Sequence, residues 1–219
     1  SILFDNNSFN LEYILNQEKI SLVYKLSEEN YFGIDANSGE LLGWSGAPFT
    51  EEKPPVYGDL EGHFSETAVN ELLNIGVFLK GENFYPDNEI LQKDFVTLLV
   101  QLGRYYYEKD NVDKIYAYLI KEGVMDETEK TPDLSITRED AVKYVFRYLG
   151  YKKFAEISGI FKCDFNDADN INPALLGYAA IAQGLGIIKG SEGNFMPQNI
   201  LTRGETAVII YNCLKTKLF

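Results

Sequence analysis

Two stretches with the pattern Thr-Arg-x-acid carry the residues best suited to binding chemistry. They are residues 137–140 (Thr-Arg-Glu-Asp) and residues 202–205 (Thr-Arg-Gly-Glu). A threonine that precedes a helix, with an acid three residues later, forms a capping box, which accounts for these threonines and acids without a ligand. The arginines lack such an explanation, because the helix dipole disfavours a cation at the first helical position. A guanidinium placed there is suited to holding a carboxylate through paired hydrogen bonds.

Arg203 and Arg138 are therefore the first candidates for ligand binding, in that order. Thr202 and Thr137 beside them complete each candidate site, while Glu205 and Asp140 are expected to act as structural helix caps. Amides left free at the helix N-terminus would add affinity for an anion. The alternative role for each arginine is a surface salt bridge to a neighbouring acid.

A third stretch, residues 91–94 (Leu-Gln-Lys-Asp), has the same place in the pattern but lacks the threonine and the arginine. Gln92 offers a neutral amide where the other stretches have a cation, and Lys93 is the residue that could supply the charge. Asp94 keeps the position of the capping acid. We therefore expect a weaker site at Gln92 and Lys93.

The first fifty residues are predicted to form β-structure. Apolar residues alternate over residues 20–26, and further strands are expected over residues 31–35 and 40–44, joined by a tight turn at residues 37–39. The charged, proline-containing residues 50–55 form the predicted linker that follows.

Beyond residue 56, apolar residues recur at helical spacing. Asn172 and Pro173 are expected to start one of these helices, which runs to Leu185. The helices form a repeat, because a helix-ending glycine precedes the acid of each stretch by 18, 17 and 19 residues. Three copies of this size cannot each bury an apolar face, so they must pack around a shared core.

Composition excludes several functions. The chain of 219 residues carries a net charge of −13, which disfavours nucleic acid and anionic membranes as partners, and it has no apolar run long enough for a membrane span. A single histidine, His63, leaves out most catalytic triads and zinc sites, and we expect no enzyme activity, cofactor or metal. Whether Cys163 and Cys213 pair is left open. Because the chain has no start methionine or signal peptide, we expect a mature fragment or a trimmed chain.

The repeated motifs resemble the S-layer homology (SLH) domains of bacterial surface proteins, which typically occur as triplets. Residues 57–59 and 165–167 match the family pattern F-x-D, and residues 62–64 match its G-H-W. The Thr-Arg-x-acid stretches match its T-R-A-E. The resemblance covers roughly residues 57–217.

The resemblance implies a mainly α fold in which three helical-hairpin repeats pack as a pseudo-threefold bundle, after a small N-terminal antiparallel β segment. The expected repeats are residues 54–104, 105–150 and 151–219. Residues 1–53 resemble the end of a PepSY-like domain of the YcdB type, on the match of residues 34–43 to its "IDA-x-(S/T)-G" pattern.

The implied function is non-covalent anchoring of an exported protein to a Gram-positive-type cell wall. The implied partner is a secondary cell-wall polysaccharide, in some cases pyruvylated, held in grooves between repeats. The expected location is extracellular, at the cell surface, and the expected state is a monomer. Two alternatives stay open: a protein–protein assembly module with degenerate glycan grooves, and a regulatory tail of a surface hydrolase or protease.

Overall fold

The structure is a computed structural model that describes residues 10–16, 19–25, 33–39, 41–42, 53–103 and 111–216. The chain divides into two units, Ser1–Lys53 and Pro54–Phe219. The parts of the predicted strands at residues 26, 31–32, 40 and 43–44 lie outside the described residues, as do residues 50–52 of the predicted linker.

The described part of the N-terminal unit is an antiparallel sheet with the strand order β1-β2-β3-β4. The strands span Asn10–Asn16, Lys19–Lys25, Gly33–Asp35 and Leu41–Leu42. Strand β1 was not predicted, although it pairs with β2 along its whole length. The tight turn after β3 is confirmed: the Asp35 Oδ1 atom accepts the amides of Asn37 and Ser38 at 2.9 Å, and Gly39 has φ +73°.

The second unit is helical over its described residues, so the predicted mainly α class with a small N-terminal antiparallel segment is confirmed. The α-helices are α1 (Glu66–Asn74), α2 (Gln92–Gln101), α3 (Val112–Lys121), α4 (Arg138–Tyr148), α5 (Lys152–Ala155), α6 (Leu176–Gly184) and α7 (Arg203–Lys215).

Two helices differ from the sequence prediction. Helix α6 begins at Leu176 rather than at Pro173, because the Asn172 side chain accepts the Ala174 amide and forms a turn ahead of the helix. Helix α5, which is only four residues long, was not predicted. Its backbone packs directly on α6 at Gly177, where a Cβ atom would lie 1.9 Å from the Ala155 carbonyl oxygen.

A closed ring of backbone hydrogen bonds lies in the core of the helical unit. The Ile90 amide donates to the Leu201 carbonyl at 2.9 Å, Leu201 donates to Ile136 at 3.1 Å, and Ile136 donates back to Ile90 at 3.3 Å. All three side chains are buried. Since each residue lies two positions before the first residue of α2, α4 or α7, the ring brings the starts of these helices together.

The helix starts also dock on neighbouring loops in a repeated way. The first two amides of α2, α4 and α7 donate to two carbonyls of loop 130–134, loop 195–199 and loop 84–88, respectively. The hydrogen bonds are Gln92–Leu134 (2.8 Å), Lys93–Pro132 (3.1 Å), Arg138–Asn199 (2.9 Å), Glu139–Pro197 (3.1 Å), Arg203–Asn88 (2.9 Å) and Gly204–Pro86 (2.8 Å). The same interface therefore occurs three times, and the third copy joins the last helix to the first loop. This arrangement is pseudo-threefold.

Candidate functional site

The three interfaces place Gln92, Arg138 and Arg203 at equivalent positions, each as the first residue of its helix. Their backbone amides, and those of the residues that follow them, already donate to loop carbonyls. The expectation that these helix N-termini offer free amides to an anion is therefore wrong. Any ligand affinity at these positions has to come from the side chains.

The Arg138 side chain is fully engaged by contacts with loop 195–199 and with α7. Its Nη1 atom donates to the Phe195 carbonyl at 2.8 Å, and its Nη2 atom forms a salt bridge with Glu205. Arg138 is only 9% exposed. The guanidinium therefore holds loop 195–199 and α7 against α4, which is a structural role that the sequence did not reveal.

The Gln92 side chain is also fully engaged. Its Nε2 atom donates to the Glu129 carbonyl at 2.9 Å, while its Oε1 atom accepts the Tyr116 hydroxyl at 2.9 Å and the Thr131 amide at 2.7 Å. Gln92 is 5% exposed. The neutral amide expected to face a ligand instead fixes loop 130–134.

Lys93 is turned toward an exposed acid. Its Nζ atom lies 2.8 Å from the Asp133 Oδ1 atom, and this hydrogen bond and charge raise the pKa of Lys93 above its ordinary value. The cation that could replace the missing arginine of this stretch is thus paired with a residue of the neighbouring loop.

Arg203 differs from its two counterparts. Among the described residues, its guanidinium has no hydrogen-bond acceptor or salt-bridge partner, and its Nε atom is buried without one. The side chain is half-buried, and its Cζ atom lies 5.3 Å from the centre of the Phe84 ring. Such a cation over an aromatic face is stabilised by the ring quadrupole, a contact that uses none of its N–H donors.

The threonines cap their helices as predicted, with one difference. Thr202 and Glu205 form a reciprocal capping box, with distances of 3.1 and 3.0 Å. Thr137 accepts the Asp140 amide at 3.3 Å, but the Asp140 carboxylate binds the Lys143 Nζ atom at 2.7 Å instead of returning to the cap amide. The threonine hydroxyls are therefore used by the helices.

Two aspartates shape the loops that receive the helix starts. Asp59 accepts the amides of Phe84 and Tyr85 at 2.9 and 2.6 Å, and Asp167 accepts the equivalent pair in loop 195–199, both at 2.7 Å. Burial raises the pKa of Asp59, but the two amides and the nearby Arg203 charge outweigh it, so that this pKa lies below its ordinary value. Asp59 is therefore an anion that Arg203 faces at a distance.

These carboxylates hold a strained turn. Tyr85 and Met196, which precede the prolines of their loops, have φ of +54° and +57°, a conformation that side chains other than glycine seldom adopt. The amides bound by the aspartates belong to these residues and the phenylalanines before them. The sequence signal was the F-x-D motif at residues 57–59 and 165–167, whose aspartates were not among the predicted site residues.

A cleft of about 470 Å³ opens beside the loop that receives α7. It is lined by Asp59, residues 61–63 and residues 85–88. The His63 ring spans part of it, with Nδ1 2.8 Å from the Ser65 hydroxyl and Nε2 3.2 Å from Asp87. Its walls carry three acids, Asp59, Glu61 and Asp87, and the half-exposed Tyr85 ring supplies an aromatic surface.

The interface between α4 and the start of α6 contains a partly buried charge network that the sequence patterns did not indicate. Lys143 binds Glu129 at 2.9 Å, and Arg147 lies 3.4 Å from Glu129 and 3.1 Å from Glu156. The Tyr178 hydroxyl completes the network by donating to Glu156 at 2.7 Å. These cations are neutralised by adjacent acids, so they are unsuited to a further anion.

The described residues contain no cluster of metal-ligating side chains, and none of their helices is long and apolar enough to cross a bilayer. Cys163 and Cys213 are both free thiols, and burial raises the pKa of the Cys163 thiol to about 11.

Comparison with known proteins identifies one segment of the chain. Residues 164–207, which include loop 195–199 and the start of α7, match the S-layer homology domain. Over 180 residues the chain is 25% identical to exoglucanase XynX of Acetivibrio thermocellus, an alignment that covers 75% of this chain. The chain matches only 17% of the length of that relative.

The S-layer homology domain is a non-catalytic module that associates proteins with the bacterial cell wall by binding its polysaccharide. The match therefore supports cell-wall anchoring and a location at the cell surface for this part of the chain. Arg203 lies inside the matched segment, whereas Arg138 and Gln92 lie outside it.

Proposed function

We propose that this chain anchors an exported protein non-covalently to the cell wall by binding a secondary cell-wall polysaccharide, with Arg203 as the principal contact. The observation that carries this proposal is that the side chains at three equivalent positions differ in whether they are hydrogen-bonded within the protein. Gln92 and Arg138 are buried and hydrogen-bonded, whereas Arg203 keeps a guanidinium without a hydrogen-bond acceptor among the described residues. Of the three grooves, the one between α7 and loop 84–88 is the functional site.

The chemistry at Arg203 favours a sugar that carries a single carboxylate. The guanidinium can form two parallel hydrogen bonds with a carboxylate, and its half-buried position strengthens them. The ionised Asp59 nearby and the net charge of −13 disfavour a polymer with dense negative charge. A pyruvate ketal is the carboxylate-bearing group that fits these conditions best.

Aromatic rings beside the cleft offer a surface for the rest of the sugar. Tyr85 is 51% exposed and Phe64 is 65% exposed, and the Phe64 ring packs against His63 in a tilted arrangement with 4.4 Å between ring centres. Phe64 occupies the place of the tryptophan in the G-H-W motif. We infer that these rings pack against apolar faces of pyranose rings while Arg203 holds the carboxylate.

The repeated interfaces support a triplet of SLH repeats over residues 54–104, 105–150 and 151–219. The middle repeat lacks the glycine and phenylalanine of the others, but Pro132 stands four residues before Ile136, as Pro86 does before Ile90. Its carbonyl accepts the equivalent helix amide. We also propose that residues 1–53 are the end of a PepSY-like domain.

The relative is named an exoglucanase, and this chain matches only a small part of it. We infer that this chain likewise belongs to a larger surface protein whose catalytic part, where it has one, lies elsewhere. On this proposal the described chain binds the wall and catalyses no reaction.

The test is retention of the purified chain on bacterial wall sacculi, before and after acid treatment that strips the secondary polymer. Arg203→Ala should weaken retention by about 1.5–3 kcal/mol, which is tenfold or more in affinity. The matched control is Lys153→Ala, which removes an exposed cation far along the sequence from the site. Retention that survives stripping, or an Arg203→Ala protein that binds as well as the unmodified chain, would refute the proposed function.

A second candidate function, a protein–protein assembly module, is favoured by a separate observation. Phe154, Ile157 and Ile160 are 63%, 45% and 63% exposed, while Ala155 and Phe161 between and after them pack on α6 at Gly177. An exposed apolar strip of this kind is typical of a contact surface. Sedimentation at micromolar concentration separates the two functions. Stable oligomers of the unmodified chain that are absent in the Ile160→Ser variant would support assembly, whereas a monomeric unmodified chain would exclude it.

A further inference from the structure

The salt bridge between Arg138 and Glu205 shows which residue positions lie opposite each other at one of the three equivalent interfaces. Arg138 is the first residue of α4, and Glu205 is the third residue of α7, the helix that follows loop 195–199. The backbone hydrogen bonds of this interface recur at the other two. By this equivalence, Asp94, the third residue of α2, occupies the position relative to Arg203 that Glu205 occupies relative to Arg138.

Arg203 and Asp94 nevertheless remain apart. Among the described residues neither side chain has a hydrogen-bond or salt-bridge partner, although the equivalent pair forms a salt bridge. Aspartate is shorter than glutamate by one carbon–carbon bond, about 1.5 Å. The helix start also differs, since Leu91 replaces the capping threonine and the Asp94 amide donates only to the Leu91 carbonyl, at 3.0 Å.

We propose that Asp94 determines the availability of this groove: its short side chain leaves Arg203 unpaired, and a glutamate at this position would capture the guanidinium and close the site. This inference rests on the proposed function for its consequence in binding, but the pairing itself can be measured without a ligand. Asp94 thus acts as a positioning residue through Arg203. At the equivalent interface, Glu205 keeps Arg138 away from ligands.

The binding test compares Asp94→Glu with the unmodified chain on wall sacculi. Capture of Arg203 by a partly buried carboxylate should weaken retention about fivefold. The matched control is Asp140→Glu, which makes the same change at the equivalent position. It should leave retention unchanged, because that position faces Gln92, whose amide is already hydrogen-bonded.

The pairing test is a thermal double-mutant cycle. Asp94→Glu should raise the melting temperature by about 2 °C, and the gain should vanish in the Arg203→Gln background. An equal change in both backgrounds would overturn the inference, whatever the binding result. If Arg203→Ala abolishes retention while Asp94→Glu leaves it unchanged, the inference fails and the proposed function stands. If Arg203→Ala retains full binding, the proposed function fails, and the cycle still decides whether the pair forms.

Discussion

Replacing Arg138 and Arg203 separately by alanine tests whether two arginines of the same motif have different roles, one structural and one in ligand binding. Arg138 bridges α4 to loop 195–199 and to α7, while the Arg203 guanidinium rests on the Phe84 ring without an acceptor among the described residues. We therefore expect Arg138→Ala to lower stability strongly. Arg203→Ala should change stability little and abolish most of the wall binding.

The magnitudes follow from burial and partners. Removing one member of a buried ion pair costs about 3–5 kcal/mol, and the lower value applies here because the Glu205 side chain is 31% exposed and keeps its capping bond. For a chain of this size, about 3 kcal/mol lowers the melting temperature by roughly 6–12 °C. Loss of the cation–π contact of Arg203 costs about 0.5–1 kcal/mol, or roughly 1–4 °C.

The assay is thermal unfolding followed by circular dichroism, combined with sacculus retention well below the melting temperature of each variant. A double-mutant cycle of Arg138→Ala with Glu205→Gln should give a coupling of about 1–3 kcal/mol. The reasoning would be refuted by an Arg138→Ala protein that melts like the unmodified chain but no longer binds sacculi. In that case Arg138 would be a ligand contact, as the sequence first suggested.

Three further outcomes are expected. Gly177→Ala should destabilise by about 3 kcal/mol in urea unfolding, because its Cβ atom would lie 1.9 Å from a backbone oxygen, whereas Gly184→Ala, with nothing within 4 Å, should be neutral or slightly stabilising. The pKa values of Glu129 and Asp59 are lowered despite burial, so both carboxylates add to the free energy of unfolding at neutral pH. This stabilisation should be lost as the pH falls below about 4.5, and Glu129→Gln should make the free energy of unfolding less dependent on pH in that range. Asp167→Asn should cost about 1–3 kcal/mol, measured by urea unfolding, since its charge-assisted hold on two amides at 2.7 Å is weakened.

Much of the fold was predictable because its signals are local. Apolar periodicity correctly indicated α2, α4 and α7, and the Thr-x-x-acid caps marked the starts of α4 and α7. The turn at residues 37–39 was likewise indicated by its Asn-Ser-Gly sequence. Strand β1 and the four-residue helix α5 escaped because each depends on the elements that it contacts: β1 pairs with β2 along its whole length, and α5 packs on α6.

The roles of the candidate site residues could not be predicted in the same way. The partners of Arg138 lie 57 and 67 residues further along the chain, so no local pattern shows that its guanidinium is occupied. Gln92 looked like a degenerate ligand contact for the same reason, because its partners Tyr116, Glu129 and Thr131 lie 24, 37 and 39 residues further along the chain. Only the folded arrangement distinguishes Arg203 from these two residues.

The circular arrangement of the helical unit has a consequence for its synthesis. In an open array of repeats, each new repeat can dock on the one before it as the chain emerges. Here the hydrogen-bond partners of Ile90 and loop 84–88 are Leu201 and the first turn of α7, which are synthesised at the far end of the unit. A chain released stepwise from a ribosome or an export channel therefore cannot complete this helical unit until helix α7 is free, and only then can the start of α7 dock on loop 84–88.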